Sequence, residues 1–182
     1  LTRFKLALYI GAVIASPVMI AELCLFIAPG LHKHEKRFVI PAVFSGVLLF
    51  FGGAGIAVAM LPKVLEILQK FGGGVLEANY TVDRFVSFVG GFILSFGVVF
   101  EIPVVLVLLA RIGVLSYGKV AGNRKYALLT CVVLSAAITP TGDPFTLMLI
   151  TVPLYMLFEI SLFAMYLMER TRRKNEAAAE SD

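Results

Sequence analysis

Between Phe4 and about Ile27 the chain carries one acid, Glu22, and one base, Lys5. A run of roughly 20 apolar residues is what an α-helix needs to cross the hydrocarbon core of a bilayer. Similar runs occupy Phe38 to Leu61, Phe85 to Ala110 and Phe145 to about Leu167, and a shorter one occupies Tyr126 to Ile138. Inside a bilayer every backbone N–H and C=O must be satisfied within the protein, which leaves helices and closed barrels. Five strands cannot close a barrel, and no alternation of about ten residues appears. The pattern therefore predicts an all-α integral membrane protein with five transmembrane helices. At 1.5 Å per residue the fourth rises only about 20 Å, short of the roughly 30 Å core. It must thin the bilayer or sit behind its neighbours.

Composition excludes the alternatives. Of 182 residues, 59% are hydrophobic and 15% charged, whereas soluble domains run nearer about 45–50% and about 25%. A soluble enzyme, a disordered chain and a disulfide scaffold are ruled out. Cys24 and Cys131 each lie within an apolar run and read as buried small hydrophobes.

Charge orients the spans. The connections around Lys33, Lys36 and Arg37, around Arg111, Lys119, Arg124 and Lys125, and the tail with Arg170, Arg172, Arg173 and Lys174 hold eleven basic residues. The opposite side holds five: Arg3, Lys5, Lys63, Lys70 and Arg84. Positive loops stay in the cytoplasm, so the first described span starts outside and the C-terminus lies inside. An outside start without a signal sequence implies a further span upstream. Residues 1–168 form the transmembrane domain and 169–182 a cytoplasmic tail, polar and unstructured from Ala177. In the outer connection, Val64, Leu65, Leu68 and Phe71 recur at helical spacing. This predicts a short amphipathic helix over about 62–71, ended by Gly72, Gly73 and Gly74. Pro17, Pro103 and Pro153 fall within spans and predict kinked helices in a bent, concave bundle.

Acids within spans are expensive and therefore informative. Glu22 lies near the surface and can snorkel. Glu101 and Glu159 lie about 12–13 Å from the inner end of their helices and should face protein or water in an intramembrane polar pocket. Pro103, two residues after Glu101, frees the carbonyl of Val99, so a broken helix beside the carboxyl is expected. His32 and His34, at i and i+2 with no third ligand nearby, make a poor metal site. No serine elbow, aspartate pair or phosphate loop appears. The reading is a protein without enzyme activity, metal or cofactor, and one that binds no nucleic acid.

Four motifs in order resemble a known family. The stretch Phe26-Ile27-Ala28-Pro29-Gly30-Leu31, followed by His32-Lys33-His34-Glu35-Lys36-Arg37, resembles the first cytoplasmic loop of TatC, the multi-spanning core of the twin-arginine protein translocase. Phe96 to Pro103 is similar to its fourth-helix motif. Thr139 to Phe145 is similar to the turn between its last two helices, and Val152 to Glu159 to its last helix. The resemblance covers about Leu1 to Leu167. It implies six spans with both ends cytoplasmic, so that the cytoplasmic N-terminal segment, the first helix and most of the first outer loop would precede Leu1. It implies a signal-peptide surface that includes Phe26 and Glu35, and a pocket containing Glu101. It also implies docking of TatA and TatB helices near Thr139 and Asp143. Many members carry Gln four residues after that Asp; here Leu147 stands there, and the turn is one residue longer.

The implied function is recognition of twin-arginine signal peptides and export of folded proteins across the cell membrane, driven by the proton motive force. The implied partners are TatA, TatB, membrane lipid and further copies of the chain in a receptor complex. A carboxylate such as Glu35 suits this role, because a guanidinium bonds it in a bidentate way. Two other readings use the same residues. In a proton-coupled secondary transporter, Glu101 and Glu159 would be relays. In a purely structural subunit they would tie helices together.

Overall fold

The computed structural model describes residues 2–27, 38–71, 82–139 and 143–179. The order of elements is α1 (Thr2–Ile27), α2 (Val39–Phe71), α3 (Val82–Val99), α4 (Ile102–Arg111), α5 (Tyr117–Gly122), α6 (Arg124–Ile138) and α7 (Pro144–Ala179). No strand occurs among the described residues. Four segments are long and apolar enough to cross a membrane: Thr2–Ile27, Val39–Ile67, Asp83–Arg111 and Pro144–Thr171. The fifth apolar run is α6, with 15 residues, which rises about 22 Å.

Prolines act unequally. The helices containing Pro17, Pro62 and Pro153 continue through them. At Pro17 the reason is visible. The ring frees the carbonyl of Val13, and Ser16 Oγ donates to that oxygen at 2.7 Å. Pro103, by contrast, coincides with a true break. Phe100 and Glu101 form a turn between α3 and α4. There the Glu101 N–H donates to Val98 O at 3.1 Å, one residue tighter than α-helical, and Val105 N–H donates to Glu101 O at 3.1 Å to restart the ladder. The expected single span Phe85 to Ala110 is thus two helices in series.

Two further boundaries differ from the sequence reading. The amphipathic stretch over 62–71 continues α2 without a break. Pro62 frees the carbonyl of Val58, and good helix formers flank it, among them Leu61, Lys63, Leu65 and Glu66. Helix α7 runs to Ala179, into the tail expected to be unstructured, because Arg, Lys, Glu and Ala are good helix formers even when exposed.

The helices pack around α3. A ladder of phenylalanines runs along it at i, i+4 spacing: Phe88, Phe92, Phe96 and Phe100, with consecutive ring centroids 5.7, 4.8 and 6.1 Å apart. Phe92, Phe96 and Phe100 are buried with Ala57 and Val64 of α2, Cys131 of α6 and Ile150 and Leu154 of α7. A second cluster joins Ile20 and Cys24 of α1, Val39 and Phe50 of α2, and Val104 and Leu108 of α4. Glycines set the helix spacing. A Cβ on Gly97 would lie 2.6 Å from the Phe50 ring, one on Gly53 2.5 Å from the Phe100 ring, and one on Gly90 would collide with the Tyr9 ring. Small residues at such contacts let helix backbones approach closely, which is how membrane helices gain packing energy without a hydrophobic drive.

One end of the bundle is tied by charge. Lys5 Nζ lies 2.6 Å from Asp83 Oδ2 and 3.0 Å from Ser87 Oγ. Thr2 Oγ1 donates to Asp83 Oδ1 at 3.1 Å, and Tyr9 Oη donates to Ser87 O at 3.2 Å. These bonds set α1 parallel to α3. Lys5, an exception to the charge bias, therefore has a local partner.

Candidate functional site

Glu101 is 8% exposed. It sits at the α3–α4 break as the N-cap residue of α4, and its side chain makes no capping bond. Both carboxyl oxygens are buried and have no hydrogen-bond partner among the described residues. The carboxyl lies against α1 and α2: a Cβ on Gly46 would come 2.8 Å from Glu101 Oε2 and 2.7 Å from Ile20 Cγ2. Gly46 therefore makes the room in which this carboxyl stands. A buried polar group without a partner costs about 1–3 kcal/mol.

Glu159 has the opposite surroundings. Its Oε2 lies 3.2 Å from Arg124 Nη2, with both side chains partly exposed, and its Oε1 accepts from Tyr155 Oη at 2.8 Å. The structure thus does not bring Glu101 and Glu159 into one polar pocket. Glu101 faces α1 and α2, while Glu159 faces α6. Arg124 and Tyr155 are partners that the sequence reading missed. Arg124 read as a loop cation, yet it opens α6. The level it occupies can be read along α7. The Tyr117 N–H, at the start of α5, donates to Glu169 Oε1 at 2.6 Å, and the Tyr117 and Tyr166 rings lie 5.4 Å apart. Arg124 meets α7 ten residues earlier, at Glu159, which is about 15 Å along the helix. The short α6 therefore starts well inside the span of α7, and the 3.6-residue period places Tyr155 one turn from Glu159.

Thr139 and Asp143 flank the α6–α7 turn. The Thr139 N–H and Oγ1 both donate to Ser135 O, at 3.0 and 2.8 Å, which closes the end of α6. Asp143 Oδ2 accepts from the Thr146 N–H at 2.8 Å, a helix N-cap. Between these helices Ser135 Oγ and Thr151 Oγ1 are 2.6 Å apart. Thr146 Oγ1, buried in the first turn of α7, has no hydrogen-bond partner among the described residues. This polar seam was not legible beforehand, since serine and threonine in apolar runs carry no distinctive spacing. Phe26, at the end of α1, is 84% exposed. Glu35 lies outside the described residues.

A groove of about 330 Å³ opens between α2, α4 and α7. It is lined by Phe38, Pro41, Ala42, Ser45, Leu49, Pro103, Val104, Val107, Leu108, Arg111, Ile160, Ser161 and Ala164. At one end the Arg111 guanidinium stacks 3.4 Å from the centroid of the Phe38 ring, a cation–π contact.

Four membrane-length helical segments, a short fifth helix and a buried carboxyl at a proline break define a polytopic helical membrane protein with polar groups held inside its bundle. The sequence profile of the Sec-independent protein translocase protein (TatC) family matches residues 1–153, and the chain belongs to that family. It is 35% identical over 164 residues to the Sec-independent protein translocase protein TatC of Carboxydothermus hydrogenoformans, covering 90% of this chain and 68% of that one. It is 39% identical over 175 residues to the TatC of Aquifex aeolicus, covering 94% and 71%. The fold is similar to a crystal structure of the twin-arginine translocase receptor TatC in DDM. There the TM-score is 0.75 and the identity 40%, over 88% of this chain and 72% of that one. The chain spans from about half to about seven tenths of the length of its curated relatives.

Proposed function

We propose that this chain is the core of a twin-arginine translocation machinery, which binds twin-arginine signal peptides, docks TatA and TatB helices and exports folded proteins under the proton motive force. In this reading it resides in the cell membrane with its C-terminus in the cytoplasm, and Phe26 and Glu35 belong to the signal-peptide surface. The observation that carries the proposal is the Glu101 carboxyl, buried at a helix break with both oxygens unpartnered among the described residues. A translocase core must hold apolar helices and peptides inside the bilayer. A carboxyl whose acceptors are unused is suited to a polar group brought by such a helix. The α6–α7 seam, with Thr139 and Asp143 at its end, offers a second place for a partner helix. Further copies of the chain would complete a receptor complex.

The test is export of a twin-arginine reporter by the full-length protein carrying Glu101→Gln, Glu101→Ala or Glu101→Leu. Gln keeps hydrogen bonding and should retain most export, while Ala and Leu should lose most of it at normal abundance. Normal export by both Ala and Leu would remove Glu101 from the mechanism. Loss of solute flux instead of protein export would favour the transporter reading.

A further inference from the structure

We propose that the groove between α2, α4 and α7 binds one acyl chain of an anionic phospholipid, with the lipid phosphate on Arg111. Its walls are almost wholly apolar. Its two hydroxyls are already engaged: Ser45 Oγ donates to Ala42 O at 2.9 Å and Ser161 Oγ to Leu157 O at 2.7 Å. A polar ligand would find little to bond there, and a hydrocarbon chain loses nothing. From Pro103 to Arg111 the groove follows eight residues of helix, about 12 Å, close to the half-thickness of a roughly 30 Å hydrocarbon core. It therefore fits the depth reached by a chain from one leaflet.

Charge selects the headgroup. Arg111 is the last residue of the membrane-length segment Asp83–Arg111, which puts its guanidinium at headgroup level. The Phe38 ring holds that group in place. Arg111 has other contacts, but its five donors in a planar fork serve more than one acceptor and match phosphate well. Basic pockets between transmembrane helices are where anionic headgroups bind. A zwitterionic lipid would bring its own cation toward Arg111, so phosphatidylglycerol should be preferred over phosphatidylcholine.

Native mass spectrometry of the full-length protein, equilibrated with either lipid in detergent, tests this independently of export. The wild type should retain one phosphatidylglycerol in preference to phosphatidylcholine. Arg111→Gln should reduce that preference about fivefold, the effect of removing one cation near anionic lipid, and Arg111→Lys should keep most of it. Ala164→Phe or Val107→Phe, which fill the groove but leave Arg111 in place, should release the lipid. Two variants are used so that misfolding of one does not leave the question open. Equal retention of both lipids, unchanged retention in Arg111→Gln, or retention by a folded groove-filling variant would overturn the proposal. So would displacement by inorganic phosphate alone, which would mark an anion site without a chain slot. If the groove-filling variants kept the lipid but lost crosslinking to a twin-arginine precursor, the groove would be a peptide site instead.

Discussion

Two glutamates on neighbouring helices of this bundle are held in contrasting ways. Around Glu101, α1, α2, α3 and α4 meet through glycines, phenylalanines and aliphatic side chains, and the carboxyl has no hydrogen-bond partner among the described residues. Around Glu159, α6 and α7 meet through two polar pairs, Arg124 with Glu159 and Ser135 with Thr151, and Tyr155, one turn away on α7 itself, also donates to Glu159. In lipid, apolar surfaces gain little from pairing, so helices associate through close packing or through hydrogen bonds. This chain uses the first device where the carboxyl is left unused and the second where the helix is short. At the level of Glu101, far along α1 from the Lys5–Asp83 tie, the helices are held by packing, and a polar group there can stay unpaired because it is not what holds them together. At the α6–α7 pair the polar groups are part of the attachment.

The sharpest way to break the packed side is to remove its close approach. Gly97→Val places a branched side chain where even a Cβ would lie 2.6 Å from Phe50. Overpacking of this kind costs about 1–3 kcal/mol and in a rigid contact more. Thermal unfolding in detergent should show a large drop in melting temperature, with reduced membrane abundance. A wild-type melting temperature would mean that α2 and α3 are not packed as closely as described.

The next effect has the opposite sign. If Glu101 adds nothing to the fold, Glu101→Leu should leave stability unchanged or raise it, by up to about 1–3 kcal/mol for removal of an unsatisfied buried group. Melting temperature measured beside export separates the two roles. A clear fall in stability would mean that Glu101 is a structural tie, like Glu159, and the contrast between the two sides would collapse.

The smallest effect tests the polar side. A double-mutant cycle with Arg124→Gln and Glu159→Gln should return a coupling of about 0.5–2 kcal/mol, the range for partly exposed ion pairs and for hydrogen bonds between membrane helices. Each single variant should destabilise without abolishing folding. A coupling near zero would show that α6 is held by its apolar face and that the ion pair is incidental. Tyr155→Phe should weaken the pair further, since it removes the donor to Glu159 Oε1.

Much of this was readable in one dimension. The apolar runs mark the four long helical segments and the short α6, because crossing a bilayer is a demand on local composition and length. Pro103 beside Glu101 announced a broken helix, because proline's lost N–H acts on its own turn. The four motifs in order pointed to the family to which the chain belongs. Other features needed the tertiary structure. That Pro17 and Pro153 leave their helices continuous depends on what surrounds them, Ser16 at Pro17 being the visible case. That Glu101 stands in the space left by Gly46, and that Arg124 reaches Glu159, depends on the rotation of each helix about its axis and on its depth. Hydropathy sums over a segment and carries neither quantity. Both are set by contacts between residues far apart in the chain, where one missing Cβ or one shortened helix decides which polar groups meet.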